Sequence, residues 1–182
     1  MTTRVTTRTA APSTTEAGVL GLLALEGERS GYDLAKQAER SVGHVWAPTK
    51  SHLYAVLRRL TAEGLVAARG VRQERRPDKQ LHSLTDSGRE ALARWLDEPV
   101  RGDRDGLVLR LFLGGLATPD AYRRTLEVFR DDAGEQLERF AEIDARNSRR
   151  GHDAFHGAVL DLGIARAEAA LGWAERRLEE LG

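Results

Sequence analysis

The chain has 182 residues, with 28 basic and 28 acidic side chains, 41% hydrophobic and 31% charged residues, and no cysteine. That balance fits a soluble protein of one large or two small folded domains, and it excludes disulfides and thiol chemistry. No apolar run approaches the roughly 20 residues that cross a bilayer, and the Thr-rich residues 1–15 contain no apolar stretch of the kind a secretory signal needs.

Residues 1–15 are therefore expected to be a disordered extension, and the protein is expected to be cytoplasmic. The zero net charge is unevenly distributed. Residues 1–95 hold 15 Lys and Arg against 10 Asp and Glu, and the remainder holds 13 against 18. This asymmetry suggests that the first half meets a polyanion.

Residues 16–25 place Val19, Leu20, Leu22, Leu23 and Leu25 on a short, largely buried helix. Ser30, with Asp33 three residues on, caps a second helix carrying Tyr32, Leu34, Ala35 and Ala38. After Trp46-Ala47-Pro48-Thr49, a third helix shows Leu53, Val56, Leu57 and Leu60 as one apolar stripe and stops at Gly64. The period then changes. Residues 65–68 and 80–84 read as two short strands, joined by the polar, Pro-containing residues 69–79 as a hairpin tip. Thr85 caps a fourth helix with Ala91, Leu92, Trp95 and Leu96 on its apolar side. The order is that of a winged helix-turn-helix with a two-stranded wing.

The second half reads as helix. Residues 107–116 are strongly apolar, and Thr118-Pro119-Asp120 combines a cap, a first-position proline and a first-turn acid. Tyr122, Leu126, Phe129, Ala133, Leu137, Phe140 and Ile143 recur about every 3.5 residues. Phe155, Val159, Leu162, Ala165, Ala169 and Trp173 recur about every 3.6. Two long helices with such stripes are expected to pack on each other and on a second copy. The fold class is mainly α, with residues 16–100 as a winged-helix DNA-binding domain and 101–182 as a helical dimerisation and effector domain.

A recognition helix meets the major groove with its N-terminal residues. Here these are Thr49, Lys50, Ser51, His52 and Tyr54, with Arg58 and Arg59 further on for phosphates. The wing carries Arg69, Arg72, Arg75, Arg76 and Lys79 against Glu74 and Asp78. Arg suits phosphate or the minor groove because its planar fork bonds in pairs. Trp46, Trp95, Phe112 and Trp173 are candidate walls of a pocket for a flat effector.

At these residues the chain resembles the PadR family of transcriptional regulators. Ser30-Gly31-Tyr32-Asp33-Leu34 is similar to that family's second helix. Residues 53–60 with Glu63-Gly64-Leu65-Val66 resemble its recognition helix and first strand, and Arg76-Pro77-Asp78-Lys79 with residues 83–89 resemble its wing and the following junction. The likeness covers residues 19–96, and the region after Gly102 is loosely similar to the virulence-activator type of tail. It implies a homodimeric repressor on a palindromic operator, released by a small aromatic or lipophilic molecule. Ala55, Ser51, His52, Thr61 and His82 depart from the usual residues, which leaves the operator sequence open.

Other readings fit parts of the pattern less well. A MarR-like regulator usually has interface helices at both ends, and the first helix here is short. A winged-helix module whose basic wing binds an acidic protein is the alternative from another class. His152 and His156 sit at i and i+4 with no identifiable third ligand, so no metal and no cofactor is expected. No phosphate loop or nucleophile motif points to an enzyme.

Overall fold

The computed structural model describes residues 11–43, 46, 48–72, 79–148 and 154–182. Most of the expected extension, together with Arg75, Arg76, His152 and the His156 side chain, lies outside the described residues.

Helix α1 (Thr14–Glu26) begins two residues before the apolar pattern does. Its capping box is closed by Ser13, whose N–H donates to Glu16 Oε2 at 2.7 Å while its hydroxyl faces the Glu16 N–H. The helix is buried on nearly all sides, with Val19, Leu20, Leu22 and Leu23 inside and Leu25 exposed. Strand β1 (Arg29–Ser30) leads into α2 (Gly31–Ser41), whose N-terminus Ser30 caps through the Asp33 N–H at 3.2 Å. Helix α3 (Lys50–Ala62) is capped by Thr49 and closed by Gly64, which adopts φ 74°. The Leu65 N–H reaches back to the Leu60 carbonyl at 2.9 Å, the closure that a left-handed glycine permits.

Strands β2 (Val66–Val71) and β3 (Lys79–Leu84) form the hairpin, and they run further towards its tip than the sequence pattern indicates. The sheet is three-stranded rather than two-stranded. Strand β1 pairs antiparallel with β3, placing Arg29 opposite His82 and Ser30 opposite Leu81, so β3 is the middle strand. On its other side Val66 faces Leu84 and Val71 faces Lys79.

Helix α4 (Asp86–Asp97) is capped by Thr85, whose hydroxyl also donates towards the Gly64 and Leu65 carbonyls. Helix α5 (Arg104–Phe112) and a 3-10 turn (Gly114–Leu116) lead to α6 (Pro119–Ser148), where Thr118 caps through the Ala121 N–H at 3.2 Å. Helix α7 (Ala154–Glu179) packs along α6.

One core joins α1, α2, α3, the hairpin base and α4, and Leu109 of α5 with Leu113 extends it. Helix α7 turns Leu160, Ala167 and Ala174 inward, at intervals of seven, while Val159 and Leu162 stand 74% and 60% exposed. The stripe read from the sequence thus lies beside the buried seam and is largely open. Among the described residues no helix is long and apolar enough to cross a membrane.

Candidate nucleic-acid interface

Alternation along α3 separates two surfaces. Leu53, Val56, Leu57 and Leu60 are almost wholly buried and fix the helix on the core. Thr49, Lys50, Ser51, His52, Tyr54 and Arg58 are all exposed. The cap itself is part of this surface. Thr49 Oγ1 accepts from the His52 N–H at 3.3 Å and lies 3.1 Å from Ser51 Oγ. Lys50 Nζ stands 5.7 Å from the centre of the Tyr32 ring, within range of a cation–π attraction.

Tyr32 is 57% exposed and belongs to the polar surface, not to the apolar side of α2 on which its spacing placed it. Its neighbour Gly31 is buried against the Tyr54 ring. A Cβ there would come 2.5 Å from Tyr54 Cε1, so the absent side chain makes room for the ring. Nothing in the hydrophobic period marks this contact. The Ser-Gly-Tyr order at a helix start was the available signal.

The basic residues divide into engaged and free ones. Arg59 donates from Nε to Glu16 Oε1 at 2.8 Å, and that carboxylate is only 1% exposed. Arg59 therefore ties α3 to α1. Lys79 Nζ pairs with Asp33 Oδ2 at 2.9 Å. Hydrogen bonds from Ser30 and then Lys79 hold the Asp33 carboxyl below its ordinary range. Arg69 pairs with Glu28, whose carboxyl its hydrogen bond likewise lowers. These three links fasten α3, β3 and β2 to α1, α2 and the residue before β1. Arg58 and Arg72 are exposed, and among the described residues Lys50 makes its aromatic contact alone.

The four aromatic residues read as pocket walls lie in different surroundings. Trp46 is buried against α1, where a Cβ on Gly18 would come 2.4 Å from its Cζ2. Trp95 is buried beneath the Arg110 guanidinium, 3.7 Å from the ring centre. Phe112 packs on the main core. Trp173 meets Phe129 edge-on at 5.4 Å. A cavity of about 670 Å³ instead opens among α5, α6 and α7, and none of the four lines it. Large aromatics in small domains fill cores first, which the apolar stripes alone could not distinguish.

Comparison with known proteins identifies the family. Residues 19–94 match the transcriptional regulator PadR-like family, and residues 104–182 match the virulence activator alpha C-terminal family. The chain is 31% identical over 170 residues to the probable transcriptional regulator Rv1176c of Mycobacterium tuberculosis, covering 84% of this chain and 89% of that one. It is 26% identical over 171 residues to the negative transcriptional regulator PadR of Bacillus subtilis, covering 86% and 91%. Among solved structures it is similar to Bacillus subtilis PadR in complex with operator DNA, at 23% identity and a TM-score of 0.46, covering 93% of this chain and 100% of that one. The chain belongs to the PadR-like family of transcriptional regulators.

Proposed function

We propose that the protein is a dimeric, operator-binding repressor that acts in the cytoplasm by binding rather than by catalysis. Residues 16–100 serve as the DNA-binding domain, and residues 101–182 carry dimerisation and effector response. The observation that carries this reading is the exposed polar row Thr49, Lys50, Ser51, His52, Tyr54 and Arg58 on a helix held rigidly from its opposite face.

In this reading α3 enters the major groove. Lys50 and Arg58 meet phosphate or guanine, Thr49 and Ser51 meet phosphate or base edges, and Tyr54 reaches the backbone. Tyr32, beside Lys50, joins the same footprint. Arg72, with Arg75 and Arg76, approaches the backbone or minor groove, while Lys79 chiefly positions the hairpin through Asp33. The open face of α7 around Val159 and Leu162 pairs with a second copy, which sets two recognition helices against two half-sites. A small effector then changes their spacing.

Hydroxyl-radical footprinting on the DNA upstream of the protein's own gene tests this arrangement. The expected pattern is two protected patches on one face of the duplex, about 34 Å apart or a multiple of it. Uniform protection without a boundary would contradict it.

A further inference from the structure

We propose that Glu28 and Asp33 sharpen the specificity of DNA binding by holding two hairpin cations, Arg69 and Lys79, away from any duplex that does not seat α3. This rests on the regulator reading above and adds two acidic residues to a surface otherwise read through its cations. The strand register places Arg69 opposite Leu81 and Val71 opposite Lys79, so both cations stand on the face of the hairpin away from buried His82 and Leu84. Their side chains are 61% and 37% exposed. Each is nevertheless answered by a carboxylate from outside the hairpin. Arg69 donates through Nε to Glu28 Oε1 at 2.7 Å and through Nη2 to Glu28 Oε2, a paired fork that phosphate oxygens also accept. Lys79 donates to Asp33 Oδ2 at 2.9 Å, and the Ser30 hydroxyl donates to the same oxygen at 2.6 Å and fixes it.

These pairs border the recognition surface. Asp33 sits in the first turn of α2 and follows Tyr32, the residue whose ring Lys50 stands over. Partly exposed ion pairs contribute little to stability, so exchanging a carboxylate for a phosphate disturbs the fold little. Binding is affected more, because a phosphate must approach each cation past the charge of its existing partner. A duplex held loosely in any register does not do so, and gains nothing from Arg69 or Lys79. An operator that fixes α3 in the groove presents its phosphates at one place, and there both cations change partner. The carboxylates therefore suppress binding to arbitrary DNA more than binding to the operator. In the free protein the same two pairs position the hairpin.

Fluorescence anisotropy of the full-length protein tests this, with the duplex upstream of its own gene and a scrambled duplex, each across a salt titration. Glu28→Gln and Asp33→Asn each remove one carboxylate charge and nearly keep the shape. Glu90→Gln, exposed on α4, makes the same change of net charge away from the hairpin. Each of the first two variants is expected to bind the scrambled duplex about fivefold more tightly at about 0.1 M salt. Its log–log salt slope should steepen by about 0.9, the increment of one further phosphate contact. On the upstream duplex the wild type already uses both cations, so affinity should rise by less than about twofold with an unchanged slope. Glu90→Gln should match the wild type on both. Circular dichroism melts check folding, and Glu28→Gln, outside any helix or strand, carries the test where Asp33→Asn is destabilised. Unchanged affinity for the scrambled duplex in the folded variants, an equal gain on both duplexes, or the same gain in Glu90→Gln would overturn the proposal. The wild type's preference for the upstream duplex tests the regulator reading, and the variants' gain on the scrambled duplex tests the carboxylates, so the two failures are distinct.

Discussion

The Arg110 guanidinium lies over the Trp95 ring at 3.7 Å and donates to the Trp95 carbonyl at 3.1 Å and the Glu98 carbonyl at 3.0 Å. One side chain from α5 thus closes the C-terminal end of α4, where carbonyls lack helical partners. Arg110 is 2% exposed, and burial lowers its pKa while Asp103 opposes that shift. An arginine keeps its charge even so.

Arg110→Met preserves much of the apolar stem but leaves both carbonyls without their donor. Each such loss costs about 1–3 kcal/mol, so a total of about 2–6 kcal/mol is expected. Urea unfolding followed by circular dichroism measures it. A midpoint equal to that of the wild type would show that the clasp contributes nothing.

Gly31 and Tyr54 give a test of the interface that is separate from stability. In Gly31→Ala the new methyl must displace the Tyr54 ring, which it would otherwise meet at 2.5 Å. Operator affinity is expected to fall about tenfold, equivalent to about 1.4 kcal/mol. Tyr54→Ala added to Gly31→Ala should then cost little more, since the two act through one ring. Additive losses by fluorescence anisotropy would separate the residues.

His82 makes stability depend on pH. Its side chain is buried on the middle strand, and Nδ1 has no hydrogen-bond partner among the described residues. Burial lowers its pKa from the ordinary 6.5. Below about pH 6.5 the unfolded chain takes up a proton that the folded chain refuses, so the unfolded state binds more protons. Stability is therefore complete above that pH and falls as the pH drops towards the folded-state value. Comparing urea midpoints at pH 7.5 and 5.5, the wild type should lose more stability than His82→Leu. Equal losses would assign the acid sensitivity to other groups.

Val159 and Leu162 stand exposed on α7 beside the seam with α6. A Val159→Glu, Leu162→Glu variant should bury no charge in the protomer but should place two carboxylates in the partner's path. Sedimentation velocity is expected to show a dimer for the wild type and a monomer for the variant. A dimer in both would move the interface elsewhere.

Elements that bury one face were legible in the sequence. Leu53, Val56, Leu57 and Leu60 gave α3 its direction, and Ser30, Thr85 and Thr118 marked helix starts through the hydrogen bonds now seen. Strand β1 was not legible, since two residues have no period and their pairing with Leu81 and His82 comes from 51 and 53 residues away. The buried Arg110 was equally hidden, because arginine reads as surface until Trp95 and two carbonyls are brought around it. The role of the four aromatic residues was ambiguous for a related reason. A tryptophan in a stripe looks the same whether it lines a cavity or fills a core, and only Gly18, opposite Trp46, hinted at the second.

Fluorescence anisotropy of the full-length protein with the duplex upstream of its own gene, beside a scrambled duplex and across a salt titration, tests the DNA-reading role of α3 most directly. Specific binding is expected in the nanomolar range, about 10³-fold or more tighter than to the scrambled duplex, and it should weaken steeply with salt. Equal affinity for the two duplexes, or no binding at low salt, would contradict the assignment of α3 as a reader of DNA sequence.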